Sequence, residues 1–275
     1  MGSVFSPYYA WSRRRGQPDP YRHCALNVAL YGVGGPSWSC TERGQAALDR
    51  APSWLAIGPS ALRWTGSGLE IAIDEITAPL PRRLRGTVRL HPEALNPSAF
   101  DLDAEGRHRW WPICPCARVE VDFDAPDLRW SGHGYLDTND GDEPLENAFS
   151  RWHWSRATLR GGSAVLYDVV RRDGQDASVA LRFLRSGAVT EEEPPPRAAL
   201  PPSRWRVARE TRADPGGHPA VERGLEDGPF YARSILRTQL FGEPTAAMHE
   251  SLSLDRFRSP WVQAMLPFRM PRAFA

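Results

Sequence analysis

Two short polar pairs stand in the middle of the chain, His108-x-Trp110 and Tyr135-x-Asp137. Side chains alternate across a β-strand, so residues two apart share a face. The stretch HRWWPICPCARVEVDFDAPDLRWSGHGYLD, residues 108–137, reads as two adjacent strands, each presenting one pair. Between the pairs, Val119, Val121 and Phe123 alternate with Glu120, Asp122 and Asp124, the pattern of a strand with one wet face. On the second strand His133, Tyr135 and Asp137 share one side. If that side faces inward, a carboxyl group, imidazoles and aromatic faces meet in the interior, an uncommon inventory for a core. A carboxylic acid in such a place is kept protonated by burial and can serve as a proton donor.

Composition narrows the classes of function. The 275 residues allow one large domain or two of ordinary size. A net charge of +1 gives no bulk attraction to nucleic acid, and no nucleic-acid-binding motif is present. All 34 basic residues are arginine. The four cysteines, Cys24, Cys40, Cys114 and Cys116, form no secreted-type framework. The amino-terminal MGSVFSPYYAWSRRR lacks the apolar core of a signal peptide, so a reduced, cytoplasmic setting is expected. No run approaches the roughly 18 apolar residues of a membrane helix. The aromatic and arginine-rich ends of the chain, with an apolar ligand in view, make peripheral contact with an anionic membrane surface a further expectation. Cys114-Pro-Cys116 has neither zinc-knuckle nor CxxC spacing, and no metal is expected.

Eleven tryptophans bear on the class of ligand. Most read as core, but Trp110, Trp111 and Trp130, with His133, are candidates for lining an apolar cavity whose ligand has π-electrons or develops positive charge.

The elements that must position these groups are short strands. Segments 23–31, 69–76, 84–90, 164–170, 178–184, 205–209, 230–240 and 248–254 all read as strands, with turn signals such as Arg172-Asp173-Gly174 about every ten residues. That spacing predicts an all-β barrel or sandwich. The proline-rich segment 191–202 predicts an exposed linker or a surface strap. A division into β-domains 1–147 and 148–275 is expected, with both polar pairs in the first; a boundary at the proline-rich segment is the alternative. His249 and Glu250 read as a strand edge. Asp140, Asp142 and Glu143 read as a solvated loop.

Seven blocks together carry a family resemblance: FSPYYAW (5–11), HCALNVALYG (23–32), TERG (41–44), HRWWPICPCARVEVD (108–122), WSGHGYLDTN (130–139), GDEPLE (141–146) and SPWVQAMLPFRMPR (259–272). They resemble the carotenoid 1,2-hydratases, or hydroxyneurosporene synthases, of purple photosynthetic bacteria, over nearly the whole chain. The resemblance implies two lipocalin-like β-units in tandem. It also implies cofactor-independent addition of water to the terminal 1,2 double bond of an acyclic carotenoid such as neurosporene or lycopene. The family's His-x-Trp falls on His108 and Trp110, and its Tyr-x-Asp on Tyr135 and Asp137. On this reading Asp137 protonates C2, and Trp110 offers a face to the cation at C1. Tyr135 sets its hydroxyl near Asp137 or the water, and His108 either hydrogen-bonds the carboxyl or relays the proton of the water. Two other readings stay open: a lipocalin-like carrier that binds an isoprenoid unchanged, and a cyclase or pericyclase on the same scaffold.

Overall fold

The structure is a computed structural model, described for residues 4–16, 19–32 and 35–273. The chain is mostly antiparallel β-strand with a few short helices, the longest being Pro7–Arg13, capped by Ser6. The expected all-β class holds. The expected strands 69–76 and 230–240 are found almost to the residue, as Leu69–Ile76 and Tyr231–Leu240.

The chain forms two compact units that interleave in sequence. One gathers the residues up to Pro92, Arg118–Gly134 and those from Gln263 on; the other gathers Glu93–Ala117 and Tyr135–Val262. Two long strands, His108–Ala125 and Asp127–Gly141, are therefore each divided between the units. The burial of the first long strand reflects this. His108, Trp110, Pro112, Cys114 and Cys116 are buried before the division, and Val119, Val121 and Phe123 after it, so the inward parity changes from even to odd.

In the first unit Val119, Val121 and Phe123 pack with Val28, Ile73 and Leu84 into one cluster. Full burial of such a side chain contributes about 1.5–3 kcal/mol. The hairpin of Cys24–Leu30 and Ser37–Arg43 lies in this unit, as do the antiparallel strands Leu69–Ile76 and Arg83–Pro92. Its buried Glu42 accepts hydrogen bonds from Ser6, His23 and Arg272. Four of the sequence blocks named above thus meet on one carboxyl group.

The second unit is built on a seven-stranded antiparallel sheet. Its spatial order is Val189–Glu191, Ala177–Leu184, Gly162–Arg171, Phe149–Leu159, Glu243–Ser253, Tyr231–Leu240 and Ala220–Asp227. Register puts Tyr167 beside Trp154, Trp154 beside Glu250 and Glu250 beside Arg233, a row across one face. The other face carries the cluster of Ala157, Leu159, Ala164, Leu166, Ala180, Leu200, Leu236, Leu240 and Ala247. Neither large sheet returns to its first strand among the described residues, so the sheets are open.

Three local expectations are corrected. Segment 205–209 is a turn leading into a strand, Arg209–Arg212. Arg206 has φ of 58°, and the amides of Arg204 and Trp205 donate to the Asp227 carboxylate instead of to a strand partner. His249 and Glu250 lie on an interior strand of the sheet, paired on both sides. The proline-rich segment takes its strap form: Arg197–Leu200 pairs with Arg209–Arg212 and buries Leu200 in the core.

Candidate active site

Strand alternation places His108 and Trp110 on the buried side of the first long strand, with Arg109 and Trp111 on the other. Trp110 is fully buried, its ring 5.7 Å from that of Phe100 and 5.4 Å from that of Tyr167. Its indole Nε1 donates to Asp137 Oδ2 at 2.9 Å. The Tyr135 hydroxyl donates to the same oxygen, also at 2.9 Å. Tyr135 lies against Trp154 at 5.3 Å between centroids, with the Arg156 guanidinium 5.9 Å from its own ring. All of these residues belong to the second unit.

The surroundings of Asp137 favour its protonated form. Among the described residues no cation lies within ion-pair distance of its carboxyl, and its two hydrogen-bond donors are neutral. Burial pushes its pKa up, and the nearby charge of Glu250 adds to that. The bonds from Trp110 and Tyr135 pull it down, and the net direction is upward. Both donors converge on Oδ2. A protonated carboxyl accepts on its carbonyl oxygen and donates from its hydroxyl, so in the protonated form the hydrogen belongs on Oδ1. Once that proton leaves, the same two donors stabilise the carboxylate left behind.

His108 is oriented by a residue that the sequence does not flag. Its Nδ1 meets Asp103 Oδ2 at 2.7 Å, both side chains being buried. Asp103 Oδ1 accepts the backbone N–H of Glu105 at 3.1 Å and of Arg107 at 2.9 Å. Burial raises the Asp103 pKa, but the bonds from Arg107 and His108 outweigh it and hold the group below the usual carboxylate range. An ionised Asp103 takes the Nδ1 proton, which leaves His108 Nε2 as the open nitrogen; that atom is buried with no hydrogen-bond partner. The ring is braced by Phe149 at 4.7 Å. Gly141 allows this packing, because a Cβ there would come within 2.9 Å of His108 Cδ2.

The remaining candidates sit differently. Trp111 is 37% exposed and donates to the Asn96 carbonyl at 2.7 Å. Trp130, 49% exposed, and His133, also exposed, belong to the first unit. Asp140 and Asp142 are fixed by ion pairs to Arg109. Cys114 and Cys116 are buried, and burial pushes the Cys114 thiol up to about 11, away from reactivity. The structure brings Trp110, Tyr135 and Asp137 into direct contact. To them it adds Trp154 and Tyr167, with Glu250 felt through its charge. Asp103 had one readable signal, the turn sequence Asp103-Ala-Glu-Gly106, with Gly106 at φ 64°.

A half-buried carboxyl of raised pKa, set among aromatic rings in an all-β unit, defines a class of protein whose site suits an apolar, π-rich ligand. The comparisons agree. The family model described as "Carotenoid hydratase CrtC" matches residues 1–275, and the chain belongs to that family. It is similar to the acyclic carotenoid 1,2-hydratase of Thiocapsa roseopersicina, 59% identical over 273 residues that cover 99% of this chain and 67% of that one. The enzyme of the same name from Rubrivivax gelatinosus is 49% identical, covering 99% and 68%. That of Cereibacter sphaeroides is 43% identical, covering 99% and 96%. In fold, the chain is similar to the crystal structure of an AttH-type protein from Nitrosomonas europaea, with a TM-score of 0.60, 13% identity, and 83% and 80% of the two chains covered. That likeness bears out the lipocalin-like expectation, with open sheets in place of closed barrels.

Proposed function

We propose that this chain adds water across the terminal 1,2 double bond of an acyclic carotenoid, of which neurosporene and lycopene are examples, with Asp137 as the acid. The observation that carries this reading is the Asp137 carboxyl: its pKa raised by burial, without a cation beside it among the described residues, and held on Oδ2 by two neutral side-chain donors. Its Oδ1 proton passes to C2, and the tertiary cation forms at C1. Trp110 and Tyr135 stabilise the carboxylate as it appears, an interaction that grows toward the transition state and so accelerates the step. The surrounding aromatic faces attract the cation by on the order of 2 kcal/mol when desolvated. Water adds at C1 and sheds a proton, and Asp137 is reprotonated through His108, whose Nε2 is open because Asp103 engages Nδ1. No added cofactor enters this scheme.

The test is incubation of the purified chain with lycopene or neurosporene in detergent micelles without added cofactor or metal, followed by chromatography with mass detection. A product heavier by one water, absent with Asp137→Asn, is expected. Unchanged carotenoid that co-elutes with the protein would favour a carrier, and an isomer of unchanged mass would favour a cyclase.

The substrate's insolubility also supports peripheral contact with a membrane. Among the described residues no helix is long and apolar enough to cross one. In the second unit Trp205 and Trp261 stack at 6.2 Å while 42% and 47% exposed, and amphipathic aromatics of this kind favour the headgroup layer. Sedimentation with anionic liposomes is expected to carry the protein down; a chain wholly in the supernatant, with and without carotenoid, would rule this out.

A further inference from the structure

Hydration needs a held water as well as an acid, and the second unit carries unused polar atoms on the face that bears Asp137's neighbours. Trp154 Nε1 is buried with no hydrogen-bond partner. The Tyr231 hydroxyl is buried too; it lies toward the Glu250 carboxylate without completing a hydrogen bond of normal geometry. Buried donors in native proteins are almost always paired with protein or with water, so orphans on one face point to a missing small polar partner.

Register brings the two together around Glu250. Trp154 is its direct cross-strand partner on one side and Arg233 on the other. Directly opposed Cβ atoms lie about 4.5–5.5 Å apart. Tyr231 stands two residues before Arg233 and so shares its face, a diagonal neighbour of Glu250 within reach of a long side chain. The Glu250 charge raises the Tyr231 pKa after burial, and also that of Asp137, which places the carboxylate near both. Arg233 fixes Glu250 through Oε1, with its Nε at 2.9 Å and Nη2 at 2.7 Å. Glu226, with an oxygen 3.7 Å from Arg233 Nη1, flanks the guanidinium on its far side. The Trp154 ring against Tyr135 then ties this group to the acid, because Tyr135 donates to Asp137.

We propose that Trp154, Tyr231 and Glu250 form the subsite for the attacking water, with Glu250 accepting the proton that the water releases. This rests on the hydration reading above. The water accepts from Tyr231 O–H or Trp154 N–H, donates to Glu250, and keeps a lone pair for C1. As the C1–O bond forms, the oxonium's surplus proton goes to Glu250. An ion-paired carboxylate is a weak base but suffices, since a protonated tertiary alcohol is a far stronger acid than a carboxylic acid. Glu250 then gives the proton up and Asp137 is reprotonated through His108, so that one water is consumed and no proton is gained or lost.

The experiment separates capture of the cation from its formation. Lycopene in micelles is turned over in D2O, and both the alcohol and the recovered carotenoid are examined by mass. The wild-type chain is expected to give deuterated alcohol and unlabelled recovered carotenoid, because capture is fast. In Tyr231→Phe and Trp154→Phe the cation forms but waits, loses a proton from C2 or a methyl group, and reverts to alkene. Deuterium then appears in the recovered carotenoid, and the ratio of alcohol to labelled carotenoid falls by about tenfold, the equivalent of one net hydrogen bond. Glu250→Gln is expected to shift that ratio further. Tyr231→Phe keeps the ring and its packing and removes only a hydroxyl that completes no hydrogen bond of normal geometry, so its melting temperature is expected to stay close to wild type. An unchanged ratio in all three variants, or label and alcohol falling in parallel in Glu250→Gln, would overturn the subsite. A wild-type chain that gives neither alcohol nor label would overturn the hydration reading, and the subsite with it.

Discussion

Tyr167 and Asp168 are neighbours on one strand, and they point to opposite faces of the same sheet. Each face has a carboxyl group near it, Asp168 buried and Asp137 half-buried, and the two are treated differently. On one face Asp168 receives Arg212 through Nε at 2.9 and 3.0 Å and Nη2 at 2.8 Å, with Ser178 adding a bond at 2.6 Å. Around it His153 meets Ser251 at 2.9 Å, and His249 Nε2 donates to the Glu210 carbonyl at 2.9 Å. Charge is matched by charge, and the strap strand Arg209–Arg212 is fastened to the sheet. On the other face Tyr167 and Trp154 stand under Trp110, Tyr135 and Asp137, and the carboxyl has neutral donors only. A permanent cation beside a carboxyl favours its ionised form and fastens it, whereas neutral donors without a cation leave its protonated form within reach.

The contrast is broken or sharpened most directly by exchanging the two carboxyls' fates. Asp137→Asn is expected to lower hydration by about 10²–10⁴-fold, the usual worth of a general acid, with an unchanged melting temperature. Asp168→Asn is expected to do the reverse. It leaves the Arg212 guanidinium with no carboxylate opposite, a loss of about 3–5 kcal/mol in denaturant unfolding, while turnover per folded molecule holds. If Asp168→Asn abolishes turnover in a fully folded protein, the two faces are not functionally distinct. A smaller effect is expected from Tyr135→Phe. Removing one donor from Oδ2 raises the Asp137 pKa further, so the fall of kcat at high pH moves to still higher pH, and kcat itself drops by roughly tenfold. A limb that moves to lower pH would contradict the donor role.

The slowest-varying signature belongs to the Asp168 face. Burial pushes His153 from 6.5 down to about 3, and His249 from 6.5 down to about 4. The unfolded chain binds those protons near pH 6.5 while the folded chain refuses them. Their contribution to stability is therefore complete above about 6.5, declines as pH falls toward 4 and then 3, and is flat below. Urea midpoints measured from pH 7 to 4 should show that decline, and His249→Gln should flatten it.

How much of this was legible depends on how local each feature is. The pairing of His108 with Trp110 and of Tyr135 with Asp137 is a period-two property, and the strands Leu69–Ile76 and Tyr231–Leu240 announce themselves by alternation and turn residues. Tyr167, Trp154 and Glu250 come from three strands whose register is fixed by packing, so nothing in their own neighbourhoods links them to Asp137. His249 and Glu250 read as an edge because polar residues usually sit there, yet a central strand accommodates them by burying one on each face. Segment 205–209 has strand-like residues, but Arg206 at φ 58° turns the chain out of the sheet. Composition along the chain carries no sign of the two interleaved units, since the exchange occurs within single strands, at Ala117/Arg118 and Gly134/Tyr135.

The convergence of both donors on one carboxyl oxygen reaches beyond acidity. With Trp110 and Tyr135 fixed to Oδ2, the proposed role of Asp137 as the acid has its hydrogen depart from Oδ1 along a set direction, so that a planar alkene end laid beside it is approached from one side alone. C2 of the hydrated product carries two enantiotopic hydrogens, and they acquire distinct origins: one inherited from the carotenoid, the other delivered by the protein. In heavy water that prochiral carbon becomes a stereocentre of single handedness. The arrangement of two hydrogen bonds on Asp137 is thereby written into the chirality of a product whose ordinary form is achiral at that position.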